Sequence, residues 1–193
     1  MQFEEDLEQL IYCYHEEDEN ITSLKKAWGK KGTFIKDIPD DLHEQLIPKK
    51  SVAVFDDVEE MLLNDKSKLR LLLKFSKIFC HHKKLILIVL LQSYDIFYRH
   101  NVLNSLLSQT TMLVLFKSVN NFSSIKRWLN SYGIKLMGNQ NLFEVYHDLV
   151  TNSCYNYLII DLNQSLKRPH VYTNILFEDP KPFIKYHFDS DCE

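Results

Sequence analysis

Glycine and proline are scarce here, 4 and 5 in 193 residues. That scarcity excludes a Gly/Ser-type linker, a collagen-like chain and a Pro/Gly-rich disordered segment. No internal repeat recurs, which argues against a solenoid. Neither sign of charge is in excess: the net charge is −3. Bulk electrostatics therefore give no reason to expect nucleic acid, and any such surface must be local or formed by assembly. The cysteines Cys13, Cys80, Cys154 and Cys192 stand far apart with no CxxC pair. A zinc ribbon or redox motif is unsupported, and reduced thiols in an intracellular compartment are expected. Cys80, His81 and His82 are consecutive, and adjacent residues do not easily converge on one ion. The longest apolar run, Leu85–Leu91, is far too short to span a bilayer. Residues 1–10 are acidic and lack the basic start of a signal peptide. The expectation is a soluble, intracellular chain with no membrane partner.

What is present is a series of short apolar runs separated by amphipathic ones. "QLIYCY" (9–14), "TFIKDI" (33–38) and "SVAVF" (51–55) suggest strands, with a short helix over 21–31 between the first two. Val58–Leu63 suggests one or two helical turns. Lys66–Phe79 places Leu69, Leu72, Leu73, Ser76 and Phe79 on one stripe, which predicts a helix. "KLILIVLLQ" (84–92), "TMLVLFK" (111–117) and "YNYLIIDL" (155–162) are apolar throughout, and "HVYTNILF" (170–177) adds a further strand. Ser123–Tyr132 and Leu142–Val150 have the helical spacing, the first stopped by Gly133. Fully apolar strands alternating with helices predict an α/β fold with one mostly parallel sheet, buried on both faces. Strands 51–56, 84–92, 111–117 and 155–161 should lie in that sheet.

In such sheets ligands bind beyond the carboxyl ends of the strands. Asp56 and Asp57 end one strand, Gln92 the next and Lys117 a third. A strand closed by two acids fits a Walker B element, whose first acid holds Mg²⁺ and whose second activates a water. It fits equally well a solvated turn in which Asp caps a helix. A phosphoacceptor domain would want a further acid closing a later strand, and near residue 100 only Asp95 is present. The Walker B reading demands a phosphate loop, and GxxxxGK(S/T) occurs nowhere in these residues. The nearest cluster, Gly29-Lys30-Lys31-Gly32-Thr33, has the wrong spacing and order. Lys25, Lys26, Lys30 and Lys31 suggest a solvated face rather than a nucleic-acid patch. Trp28 and Trp128 suggest core aromatics.

In order along the chain, these segments resemble the C-terminal two-thirds of the FtsK–HerA-type DNA-packaging ATPases of Polinton/Maverick elements and large double-stranded DNA viruses, including poxviruses. The likeness runs from about residue 9 to residue 179. "LIYCY" resembles the strand after the P-loop helix, and "VAVFDD" the Walker B strand. "FCHHKKLILIVLLQS" resembles the Ser-His-His stretch leading to a sensor strand that ends in Thr-Gln-Asn. Arg99 and Asn104 match an Arg-x-x-x-x-Asn pattern. "LVLFKS", "YNYLIIDL" and "YTNILFED" resemble the family's later strands.

The resemblance implies a RecA-like P-loop NTPase core, truncated at its N-terminus, as a single partial ATPase domain over 1–193. Residues 1–50 would be its lead-in strand, helix and loop, and 180–193 a tail. It implies ATP and Mg²⁺ as cofactors, and as partners a homo-oligomeric ring, a hexamer, and double-stranded DNA. Asp56 would bind Mg²⁺, Asp57 would be the catalytic base, Gln92 would sense the γ-phosphate, and Arg99 would reach a neighbouring subunit's nucleotide. Asp57 and Gln92 should then lie close together. The chain departs from the pattern in lacking the Walker A portion. Ser118-Val119-Asn120-Asn121 also stands where the family has Asn-Pro-Arg-Asp, and Tyr172 replaces an arginine. Two functions follow: a packaging ATPase completed by an upstream Walker A segment, or a catalytically silent copy acting as a binding or structural module.

Overall fold

The computed structural model describes residues 7–39, 47–48, 50–93, 106–118, 121–131, 141–152, 156–162, 170–173 and 185–186. The chain divides into two compact units, Met1–Gln109 and Thr110–Glu193.

The first unit is a parallel α/β sheet. β1 (Gln9–Tyr14) leads through α1 (Glu19–Trp28) and a 3-10 turn to β2 (Gly32–Lys36). β3 (Ser51–Asp56) is followed by α2 (Glu59–Asn64) and α3 (Lys66–Lys74), and then by β4 (Ile86–Leu90). All four strands run parallel in the order β2-β1-β3-β4. The Asp18 carboxylate starts α1 by accepting from the Ile21 amide at 2.8 Å. Asp65 does the same for α3, accepting from Ser67 at 2.7 Å. Each satisfies one of the amides that a helix start leaves unpaired. A Cβ at Gly32 would meet the Phe34 ring at 2.5 Å, so any larger residue there needs that ring to shift.

Period-two alternation sorts this sheet's side chains between two faces. Leu10, Tyr12, Tyr14, Val52 and Val54 share one face with Ile21 of α1, and Leu24 and Trp28 pack against them. Phe55 faces the other way, its ring 5.1 Å from Phe75, which in turn meets Phe79 edge-on at 4.9 Å. Helices therefore cover both faces.

The second unit is built on an antiparallel sheet. β5 (Met112–Phe116), β6 (Tyr157–Asp161), β7 (His170–Thr173) and β8 (Lys185–Tyr186) pair in that order. α4 (Phe122–Ser131) and α5 (Leu142–Asn152) accompany them. A reciprocal cap opens α5: Glu144 donates its amide to Asn141 Oδ1 at 2.9 Å, and the Asn141 amide donates to the Glu144 carboxylate at 3.0 Å. Buried Tyr146 donates its hydroxyl to the Phe116 carbonyl at 2.9 Å, tying α5 to β5.

Two expectations need correction. Strands 112–116 and 157–161 do not continue the sheet of β3 and β4; they pair antiparallel with each other in a separate sheet. An all-apolar run has no alternation, so it encodes neither direction nor partner. Nor are all such runs buried on both faces. Ile88 and Leu90 of β4 are 40% and 43% exposed, and Met112 and Phe116 of β5 are 40% and 52% exposed. Both are outer strands among the described residues, a position that composition does not reveal. The helix expected over 66–79 runs on to Lys83 through a π turn at Phe75–Phe79. That turn buries Phe75 and leaves Leu73 half-buried. Among the described residues no helix is long and apolar enough to cross a membrane.

Candidate functional site

The carboxyl ends of the four parallel strands carry His15, Asp37, Asp56-Asp57 and, just past β4, Gln92. Asp56 closes β3, paired in register with Tyr14 of β1 and Leu90 of β4. It lies on the α1 face, where Tyr12 of β1 donates its hydroxyl to Asp56 Oδ2 at 2.6 Å. Burial, and then this bond to an anion, raise the Tyr12 hydroxyl above its ordinary value.

Asp57 adopts the left-handed region, with φ 52°, which Asp tolerates better than most residues. The bend takes the second acid off the strand, and Gln92 Nε2 donates to Asp57 Oδ1 at 2.6 Å. Adjacent parallel strands bring these two groups together across 35 positions of sequence. Asp37, at the end of β2, repeats the bend with φ 62° and bonds His15 Nδ1 at 2.9 Å. That bond, the largest influence on His15, raises its imidazole above the ordinary value.

Glu59, at the start of α2, fastens the loop after β4 to the loop after β3. Its carboxylate accepts the Ser93 amide at 2.5 Å. Burial raises the Glu59 carboxyl above the usual range, against the opposing pull of the Ser93 and Gln92 amides, and the Asp57 charge adds a smaller lift.

The structure thus brings Asp56, Asp57 and Gln92 to one edge. Arg99 and Asn104 lie outside the described residues. Lys117 follows β5, which belongs to the other sheet, so it does not end a strand of this edge. Sequence reasoning missed Tyr12 and Glu59. Tyr12, Tyr14 and Asp56 share a face only once the parallel register is known, and nothing in the local sequence sets Glu59 apart from other acids in the first turn of a helix. Cys80, His81 and His82 form no cluster: among the described residues no group of three His, Cys, Asp or Glu is placed to hold a metal ion.

A hard divalent cation suits carboxylate oxygens, so Asp56 fits Mg²⁺ in kind. A triphosphate does not fit this edge as it stands. Asp37, Asp56, Asp57 and Glu59 are all acids, and no backbone loop of the phosphate-cradling type is encoded in these residues. Comparison with protein-family models, curated proteins and solved structures returned no match.

Proposed function

We propose that the first unit is the Walker B half of a P-loop ATPase of the DNA-packaging type, with a RecA-like core that needs a phosphate loop from outside these 193 residues. The observation that carries this reading is the 2.6 Å bond between Asp57 and Gln92. It supports the reading because a base at Asp57 and a sensor at Gln92 would have to sit side by side at the carboxyl edge of neighbouring parallel strands for one phosphate to meet both. β4 supports it further. Its outer edge pairs with no described strand, and Ile88 and Leu90 lie exposed on it. A parallel strand leading into a phosphate loop would find backbone groups and apolar surface there. In the completed site Asp56 would hold Mg²⁺, Asp57 would act as base, Gln92 would sense the γ-phosphate and Arg99 would serve a neighbour in a hexameric ring on double-stranded DNA.

A second reading, a catalytically silent binding module, is favoured by one observation. The carboxylate that should face the cation already accepts a hydroxyl from Tyr12. Calorimetric titration with ATP and Mg²⁺ separates the two. The 193-residue chain should give no binding heat, and the chain extended upstream through an encoded GxxxxGK(S/T) should bind. An extended chain that still fails to bind selects the silent module.

A further inference from the structure

The second unit holds a cavity of about 420 Å³ between the start of α4 and the first two turns of α5, lined by Phe122, Phe143, Glu144, His147 and Asp148. Its volume is that of a small-ligand site. Phe122 meets Phe143 edge-on, with ring centres 4.9 Å apart. The His147 ring stands 5.4 Å from Phe122 and 6.2 Å from Phe143. Phe143 is buried, Phe122 half-buried and His147 exposed, so Phe143 forms the floor and the other two the sides. Ring faces are electron-rich, which favours a cation over an anion. The chain supplies its own instance: Lys126 Nζ lies 5.2 Å over the Phe143 ring.

The two acids are four apart on α5, where like charges repel, but their duties differ. Glu144 is committed to the helix cap, accepting the Asn141 amide at 3.0 Å. There its charge offsets the positive end of the α5 dipole, which would otherwise oppose a cation. Asp148 lies a turn further on, with its side chain 71% exposed. His147 Nδ1 stands 3.6 Å from it, too far for a hydrogen bond. Its oxygens therefore lie open at the cavity rim. We infer that this cavity receives an arginine side chain of a partner protein, its guanidinium stacked on the rings and forked onto Asp148. A guanidinium can do both at once, being planar and carrying paired donors. A lysine ammonium is more strongly hydrated and cannot fork. Free arginine fits less well, because its own α-carboxylate would meet Glu144 and Asp148. The site lies in the second unit and its test is independent of the nucleotide reading.

The test is an NMR titration of the 193-residue chain with the blocked peptide acetyl-Gly-Arg-Gly-amide. The His147 ring protons and the α5 amides should shift and saturate, with a Kd of about 1 mM. Asp148→Asn, an exposed change, should weaken binding about 3-fold. Phe122→Leu keeps the apolar bulk but removes a ring face, and should weaken it about 5-fold. Retained dispersion of the spectra shows that both variants are folded. The same peptide with citrulline keeps the shape without the charge and should give no saturable shift. Lysine peptide and free arginine should both bind more weakly. No shift at about 20 mM arginine peptide, citrulline or lysine peptide binding equally well, or Asp148→Asn binding at full strength overturns the inference.

Discussion

Removing the Tyr12 hydroxyl tests whether the site is part of the fold or merely attached to it. Tyr12 is buried at 8% exposure, and its ring packs 5.8 Å from Phe34 in the core beneath α1. Its hydroxyl reaches a carboxylate at 2.6 Å. A hydrogen bond to a charged group contributes about 1.5–3 kcal/mol, and half-buried Asp56 can recover some of that from water. Tyr12→Phe keeps the ring, so the expected loss is the hydroxyl's share alone, about 1.5 kcal/mol. Asp56→Ala should cost a similar amount, and the double variant little more than either. A coupling energy of roughly 1 kcal/mol in the double-mutant cycle is therefore expected. The chain has one tryptophan in each unit, Trp28 and Trp128. Urea unfolding followed by fluorescence in a Trp128→Phe background thus reports the first unit. Additive losses, with coupling near zero, would refute the reasoning and make the contact incidental.

Phe75→Ala should be far more damaging. Phe75 is fully buried between Phe55 and Phe79, and losing such a ring costs about 3–5 kcal/mol; the same fluorescence assay measures it. His15 should titrate by NMR above its ordinary ~6.5, and Asp37→Asn should bring it back down. Because the folded value is the raised one, this pair's contribution is fully present below pH ~6.5 and is lost as pH rises through the folded value. A His15 that titrates normally would remove Asp37 as its partner.

Much of the first unit was legible because its strands differ in kind from its helices. β1 and β3 are rich in β-branched and aromatic residues, and β3 ends abruptly in charge. Asp56 and Asp57 at the end of β3 and the glutamine after β4 pointed to one edge, and parallel pairing of those strands brings Asp57 and Gln92 into contact. The second unit was misread for a reason that lies in the residues. "MLVLF" and "YLIID" would suit a parallel or an antiparallel neighbour, and only tertiary pairing chooses. The partners of the acids were hidden too. Tyr12 stands 44 positions before Asp56, and nothing in its local sequence distinguishes it from a core aromatic. The π turn at Phe75–Phe79 could not be seen, because one extra residue in a helical turn shifts the apolar stripe without breaking it.

The most direct test of the Walker B account is steady-state ATP hydrolysis by the chain alone and by the chain extended through an upstream phosphate loop. The account predicts no turnover above background for the 193 residues, because positioning and charge stabilisation of the phosphates come chiefly from the missing loop. It predicts turnover in the extended chain that falls by orders of magnitude in Asp57→Asn and in Gln92→Ala. Turnover by the 193-residue chain that disappears in Asp57→Asn would contradict it, as would an extended enzyme indifferent to both substitutions.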